Sequence, residues 1–516
     1  MRQKSKIISI DRVPELIPDG ATIAVTGFVQ MAHPEQLSAE VEKSFLQTGK
    51  PKDLTLIYGA GQGNGKEGMV NRYGHEGLLK RVIGGHYNLA PKVTKLISEN
   101  KLEAYNFPQG VLVHCFRSRA AGLPGHLTHV GLKTFADPRL EGGKLNEITK
   151  EELVEVVTLG GKEQLYYKTF DIDVAFIRAT TADEKGNLTV EKEGLKVEIL
   201  PVAQATKNAG GIVIAQVERV TQNGTLDPRM VEVPGICVDY IVVSEPEFHM
   251  QTGDNQYDPA KSGETKIPLH AIEPMAFDIR KVIARRCFME LEEGSVVNLG
   301  IGVPEGVASV ANEEGKGDMF TLTVEAGPVG GVPNGGPGFG SSTNPEMIVN
   351  QHAQFDFYDG GGLDITFLGL AEADEKGNIN VSKFGPRIAG CGGFVNISQN
   401  AKKAVFCGTF TAGGLKVDIK DGEIKVAHEG KEKKFVKSVQ QVTFSGQHAA
   451  ELGQPVLYIT ERAVFELSKD GPVLKEIAPG IDLQREVLDL IDFDVKVDEN
   501  LKFMDSRIFM DCPMNL

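Results

Sequence analysis

The sequence predicts an α/β protein made of two homologous open α/β domains with largely parallel sheets, with the active site between them. Three observations carry this prediction. The chain is 516 residues long, a set of segments recurs in the same order in both halves, and each copy shows a strand, a glycine turn, a helix and a second strand. A single hydrophobic core rarely serves such a length, so two domains are expected. The apolar fraction of 41% and charged fraction of 24% suit a folded globular protein, and 59 glycines imply many tight turns or close backbone approaches.

The repeat is read residue by residue. "DGATIAVTGFVQMAHPEQL" from Asp19 resembles "EGSVVNLGIGVPEGV" from Glu293, pairing Gly20 with Gly294 at an offset of 274 and Pro34 with Pro304 at 270. "TLIYGAG", Thr55 to Gly61, matches "TLTVEAG", Thr321 to Gly327, at 266. "ADEKGN" occurs from Ala182 and again from Ala373, and "KNAGGIVIAQVE" echoes "QNAKKAVFCGTF", with Asn208 opposite Asn400. The first copy thus carries an insertion at about residues 62–181.

In the first copy "ATIAV" is a short β-rich run, and Pro34 suits a first helical position. Leu37, Val41 and Phe45 recur at four-residue steps, Gly49 marks the stop, and "DLTLIY" is the next strand. The second copy repeats this with "SVVNL", Pro304, Val307, Val310 and Gly315, then "MFTLTV". Such units build parallel sheets whose ligands sit beyond the carboxyl ends of the strands. We read residues 1–243 as the first domain, the polar, proline-containing stretch 244–275 as a linker, and 276–516 as the second domain, starting near Ile279 with "IRKVIARRCFMELEEG".

A formal net charge of -15 argues against nucleic acid or an anionic membrane as partner, because those contacts rest on clustered Lys and Arg. Six cysteines without CxxC spacing read as reduced thiols in a cytoplasmic protein. The start "MRQKSKIISIDRVPELI" lacks an apolar core of signal-peptide length, and no run is long enough to span a bilayer.

Aligning the two strand ends sets Glu325 against Gly59, so the scaffold does not need a side chain there. A carboxylate on a strand tip before the glycine-rich "PVGGVPNGGPGFG" is well placed to attack an activated acyl group. For an isolated Glu a solvated or capping role would outweigh this by about twenty to one. "GIGVPEG", Gly300 to Gly306, with Glu325 further on, looks like a dinucleotide fingerprint, but its spacing is GxGxxxG and Pro304 interrupts it. "FYDGGGLD" and "GPRIAGCGGF" offer unobstructed backbone N–H groups for an oxyanion or phosphate, against a reading as plain turns. In "YNFPQGVLVHCF", Gln109 presents an amide on an expected turn. His126 and His129 have HxxH spacing but no evident third ligand, so no metal site is assigned. No GxSxG, Walker or HExxH motif is present.

At these residues the sequence resembles the family I coenzyme A transferases over nearly its whole length. The resemblance is carried by "GHEGLLKRVIGGH", "TLDPRMVEVPGICVDYIVV", "VNLGIGVPEGVASVANEEG", "LGLAEADEKGNINVSKFGPRIAGCGGFVNISQN", "FCGTFTAGGLKV" and "EIAPGIDLQ". It implies the CoA-transferase fold and transfer of CoA between short-chain acids such as acetate and propionate. The nucleophile would be Glu325 in "VEAG", with oxyanion donors at Gln109 of "FPQG" and at Gly392 or Gly393 of "GCGG". Coenzyme-binding candidates are Gly300, Gly302, Val303, Gly327, Lys383, Gly390 and Gly392, with Arg387, Lys402 and Lys403 as further cations for the phosphates. It implies no tightly bound cofactor and no metal, coenzyme A being a substrate and transient covalent thioester, and a homodimer or homotetramer. The competing classes are an acyl-CoA hydrolase with Glu325 as base, a nicotinamide-dependent oxidoreductase and a non-catalytic binding protein.

Overall fold

A computed structural model describes residues 5–268 and 275–516 of the chain. Residues 269–274 of the expected linker lie outside the described residues. By packing, the chain falls into two compact units. The first holds Met1–Ile267, Val324–Asp356 and Phe384–Asn396, and the second Pro268–Thr323, Phe357–Lys383 and Ile397–Leu516. Two segments from the second half of the sequence, including Glu325 and the "GCGG" loop, are therefore built into the first unit.

The first unit is organised by a sheet in the order Tyr240–Val243, Ile212–Thr221, Val174–Asp183, Thr22–Val25, Leu54–Tyr58, Leu79–Gly84 and Glu103–Asn106, with every neighbour parallel. Val174–Asp183 is buried along its whole length, as a central strand covered on both faces must be. Alternate residues feed two cores. Ile23, Val25, Leu54, Leu56 and Tyr58 face one, and Ala24 and Ile57 the other. The insertion supplies the last two strands, the helix Gln109–Ala120 and a small antiparallel sheet of Gly125–Thr128, Val154–Leu159 and Lys162–Lys168.

In the second unit, Thr321–Thr323, Val296–Leu299, Ile365–Gly369, Lys403–Cys407 and Val456–Ile459 run parallel in that order. Ala463–Ser468 and Gly471–Ile477 then continue antiparallel.

The repeat seen in the sequence reappears as strand register. Thr22 pairs with Thr55 and Val296 with Thr321, and Ile23 with Val174 as Val297 with Ile365. "ADEKGN" folds identically in both copies. Asp183 Oδ1 accepts from the amides of Lys185 and Asn187, and Asp374 Oδ1 from those of Lys376 and Asn378.

The first predicted helix forms as Glu35–Thr48, with Leu37 and Val41 buried and Gly49 closing it at φ +71°. Pro34 stands at the cap, one residue before the position expected for it. Its counterpart starts later than Pro304, at Gly306, and runs to Glu313. The helix near Ile279 spans Ile279–Phe288, where Asp278 caps the amides of Arg280 and Lys281. Up to Ile267 the stretch read as linker packs with the first unit, through Asn344 N to Ala260 O at 2.9 Å and Asn344 Nδ2 to Ile267 O at 2.7 Å. Among the described residues no helix is long and apolar enough to cross a membrane.

Candidate active site

Glu325 is held by a tight turn that follows the strand Thr321–Thr323. Gly327 N donates to Val324 O at 3.0 Å and Val324 N to Pro328 O at 2.9 Å. Gly327 has φ +128°, and a Cβ there would stand 2.2 Å from Val349 O, so only glycine closes the turn. The turn leaves the Glu325 side chain 9% exposed. Its neighbours Val324 and Ala326 are buried in an apolar cluster that also contains Val111, Leu112, Cys391 and Val395. The three sequence-predicted segments thus meet in one unit.

Gln109 is not on a turn, which corrects the expectation for "FPQG". It is the first residue of the helix Gln109–Ala120, capped at Pro108. Every residue from Gln109 to Phe116 is buried, so the segment has no polar face and no 3.6-residue stripe to betray a helix. The helix start leaves orphan N–H groups, of which the glycine loop satisfies one and the helix Phe394–Asn400 another. Gln109 N donates to Gly392 O at 2.9 Å and Gly110 N to Asn396 Oδ1 at 3.1 Å. The Gln109 side chain is 2% exposed, and its Nε2 has no hydrogen-bond partner among the described residues.

The "GCGG" loop is fixed by the strand tips beside it. Tyr87 N donates to Ala389 O at 2.7 Å, Cys391 N to Asn106 Oδ1 at 3.0 Å and Gly392 N to Gly85 O at 2.7 Å. Gly390, at φ +80°, has no room for a side chain, because a Cβ would stand 2.8 Å from His86 Cα. Gly392's amide is therefore committed to Gly85. Burial, and after it the Arg387 guanidinium, hold His86 down to about 4, so the ring beside the loop is neutral.

Of the coenzyme-binding candidates, Gly327, Gly390, Gly392 and Arg387 belong to the first unit, while Gly300, Gly302, Val303, Lys383, Lys402 and Lys403 belong to the second. Arg387 Nη2 donates to Asn88 Oδ1 at 2.8 Å. Lys402 is paired with Asp364 at 2.7 Å and Lys403 with Glu290 at 2.6 Å. These pairings make the two lysines weaker phosphate ligands than their position in the sequence suggests.

Sequence reasoning missed Asn106 and Glu198. Asn106, fully buried, donates from Nδ2 to Gly84 O at 2.8 Å and Gly85 O at 2.6 Å while accepting from Cys391. It ties two strand ends to the glycine loop. Asn106→Ala would leave the Cys391 amide without its acceptor, at about 1–3 kcal/mol, and remove one donor each from Gly84 O and Gly85 O, which keep the amides of Phe107 and Gly392, so we predict a loss of about 2–3 kcal/mol in urea unfolding. A change under about 0.5 kcal/mol, the range of surface substitutions, would contradict this.

Glu198 precedes the helix Ile199–Asn208 and is 0% exposed. Burial pushes its carboxyl up to about 8; the backbone amides of Glu198 and Gly27 soften the shift without reversing it, and neither oxygen makes a hydrogen bond of ordinary geometry. The folded protein therefore holds a proton that the unfolded chain gives up above about pH 4.5. The associated stability is present below that pH and is lost as pH rises towards 8. Relative to Glu198→Gln, the wild type should lose about 3 kcal/mol between pH 4.5 and 7 in urea titrations. Parallel pH dependences of the two proteins would contradict the assignment.

Residues 7–244 match the coenzyme A transferase family model. The chain is 47% identical over 511 residues to a caffeate CoA-transferase of Acetobacterium woodii, covering 98% of this chain and 97% of the relative. It is 43% identical to the acetate CoA-transferase YdiF of Escherichia coli (strain K12), covering 98% and 96%. The crystal structure of the acyl-CoA transferase YdiF apoenzyme from Escherichia coli O157:H7 superposes with a TM-score of 0.96 at 42% identity, over 100% of this chain and 98% of that one. The same enzyme's thioester complex with CoA gives a TM-score of 0.94 at 42% identity, over 99% and 97%. With sequence and fold matched over almost the entire length, the chain belongs to the coenzyme A transferases and is an enzyme that transfers coenzyme A.

Proposed function

We propose that this enzyme transfers CoA between short-chain carboxylic acids, of the acetate and propionate type, by a ping-pong route through Glu325. The observation that carries the reading is the placement of Glu325 on a nearly buried turn in the same unit and apolar cluster as the segments of Gln109 and the glycine loop.

Glu325 attacks the acyl-CoA carbonyl, and collapse of the oxyanion expels CoA thiolate and leaves an acyl-glutamyl anhydride. The thiolate attacks the glutamyl carbonyl of that anhydride, forming the glutamyl-CoA thioester and releasing the first acid as its carboxylate. A second carboxylate attacks the thioester, regenerating an anhydride and thiolate. The thiolate then attacks the new acyl carbonyl and frees Glu325. One thioester is exchanged for another, so the route needs no ATP.

Each addition makes an oxyanion. The unpaired Nε2 of Gln109 and the Gly393 N–H are the donors proposed for it, and Gly392 contributes its carbonyl to hold Gln109 in place. Residues 330–343 fold back as a short hairpin whose Phe339 stacks on Phe28 with ring centroids 5.9 Å apart, a dry surface suited to keeping water from the intermediates. We further propose that, within the first unit, Gly327 and Gly390 contact the coenzyme.

A relative named for caffeate supports a second reading, in which the acid is larger and aromatic. Initial rates separate the mechanisms. Parallel double-reciprocal lines for acyl-CoA at several fixed acid concentrations are expected, and converging lines would exclude a covalent relay. Release of CoA at the full rate without any acceptor acid would instead mark a hydrolase. Comparing kcat/KM for acetate, propionate and caffeate decides between the two acid classes.

A further inference from the structure

The repeat aligns Glu198 with Gly390, ten residues before Asn208 and Asn400 respectively. The two copies therefore place their acids reciprocally. In the second, Glu325 stands on the strand tip and Gly390 lies in the loop four residues before the helix Phe394–Asn400. In the first, the strand tip is Gly59 and the acid, Glu198, comes from the helix start. A side chain added at Gly59 would set its Cβ 3.5 Å from Glu198 Oε1 and 2.9 Å from Val113 Cγ1. Val113 lies one turn along the helix that begins with Gln109.

Glu198 is one of several buried side chains of the first unit, Thr26, Gln109, Gln351 and Gln354 among them, that hold a polar atom without a hydrogen-bond partner among the described residues. Both its carboxyl oxygens, Gln109 Nε2 and both polar atoms of Gln351 lack hydrogen-bond partners among the described residues. Gln351 is 0% exposed, and its backbone N donates to Val197 O at 3.1 Å, next to Glu198. Buried polar groups in native proteins are nearly always paired, so several unpaired ones in one unit mark a place where something polar binds. Val197 and Ile199, which flank Glu198, share an apolar cluster with Val324 and Ala326, which flank Glu325.

We propose that Glu198, with Gln351, is the hydrogen-bonding anchor for the carboxyl group of the acid substrate. This rests on the relay through Glu325. As a neutral acid Glu198 donates to a carboxylate oxygen, and Gln351 Nε2 donates to the same group. The acyl carbonyl of the thioester, which carries no charge, depends on Glu198 less. The titratable residues next in the chain to the groups placed beside Glu198 are Tyr58, His114, His352 and Lys196, with Lys207 on the helix that follows it, and Glu325 is flanked by residues of the same apolar cluster as those flanking Glu198. Its ionisation is governed by burial, and once ionised it repels a carboxylate.

The test is kcat/KM for the acceptor acid, with acetate as probe, from pH 6 to 10 in wild type, Glu198→Gln and Glu198→Ala, alongside mass mapping of CoA bound to Glu325 after incubation with acetyl-CoA. In the wild type kcat/KM for acetate should fall about tenfold per pH unit above about 8. Glu198→Gln, isosteric and still a donor, should lose this fall. Glu198→Ala should raise KM for acetate tenfold or more while the Glu325 adduct still forms. Should the alanine variant not fold, the pH profile of the glutamine variant decides alone. An unchanged profile and unchanged acetate KM, with the adduct present, would overturn the role of Glu198 and leave the relay standing. Absence of the adduct in the wild type would overturn the relay itself, and the anchor with it.

Discussion

Glu325→Gln is expected to lower kcat about ten-thousand-fold or more while leaving the fold unchanged. The amide keeps the size of the carboxylate but is a far poorer nucleophile, and loss of the attacking group removes the covalent route rather than weakening it. The turn that presents residue 325 is closed by backbone bonds of Val324, Gly327 and Pro328, none of which involves the side chain. Thermal unfolding of the variant should match the wild type. Retention of more than about one-hundredth of the activity, a loss nearer that of a single supporting donor, would show that Glu325 assists the chemistry without carrying it.

Gln109→Ala is expected to lower kcat by about 10² to 10³, the usual effect of deleting one preorganised oxyanion donor. The structure separates this from a folding effect. The backbone bond from residue 109 to Gly392 O survives the substitution, and alanine suits a first helical turn. Because Nε2 is buried without a partner, its removal should cost no stability and could add about 1 kcal/mol. KM for acyl-CoA should change little, since the donor acts on charge that develops in the transition state. A variant with wild-type kcat would remove Gln109 from the oxyanion site. One whose activity and stability fell together would make it a structural residue.

Much of this was legible in the sequence because it was written twice. The repeat predicted the fold class, and the offsets of 274 and 266 between copies reappear in the structure as the pairings of Thr22 with Thr55 and Val296 with Thr321. Glu325 stood out because its counterpart is Gly59. Gln109 was singled out by the family resemblance of "FPQG", and its conformation was not legible. A helix buried on nearly all sides has no periodic pattern, and the bonds that start it come from Gly392 and Asn396, almost three hundred residues away. Glu198 was invisible for a related reason. In "LKVEILP" it reads as an ordinary solvated acid, and its burial beside Gly59, distant in sequence, has no local signal. Asn106 likewise gains its meaning from Gly85 and Cys391.

The compact units were also hidden from the sequence. Composition marks the polar stretch from Ser244 as a boundary, yet packing continues through it to Ile267, and Val324–Asp356 and Phe384–Asn396 are claimed by the first unit. In both cases long-range contacts, which no local pattern encodes, outweigh the turn signals.

The most direct measurement is intact-protein and peptide mass spectrometry after brief incubation with acetyl-CoA and quenching in acid. The relay predicts a gain equal to CoA less one water, located on the "TLTVEAG" peptide at Glu325 and lost when acetate is added back before quenching. A stable protein that turns over acyl-CoA with no such gain, or with CoA on any other residue, would contradict it.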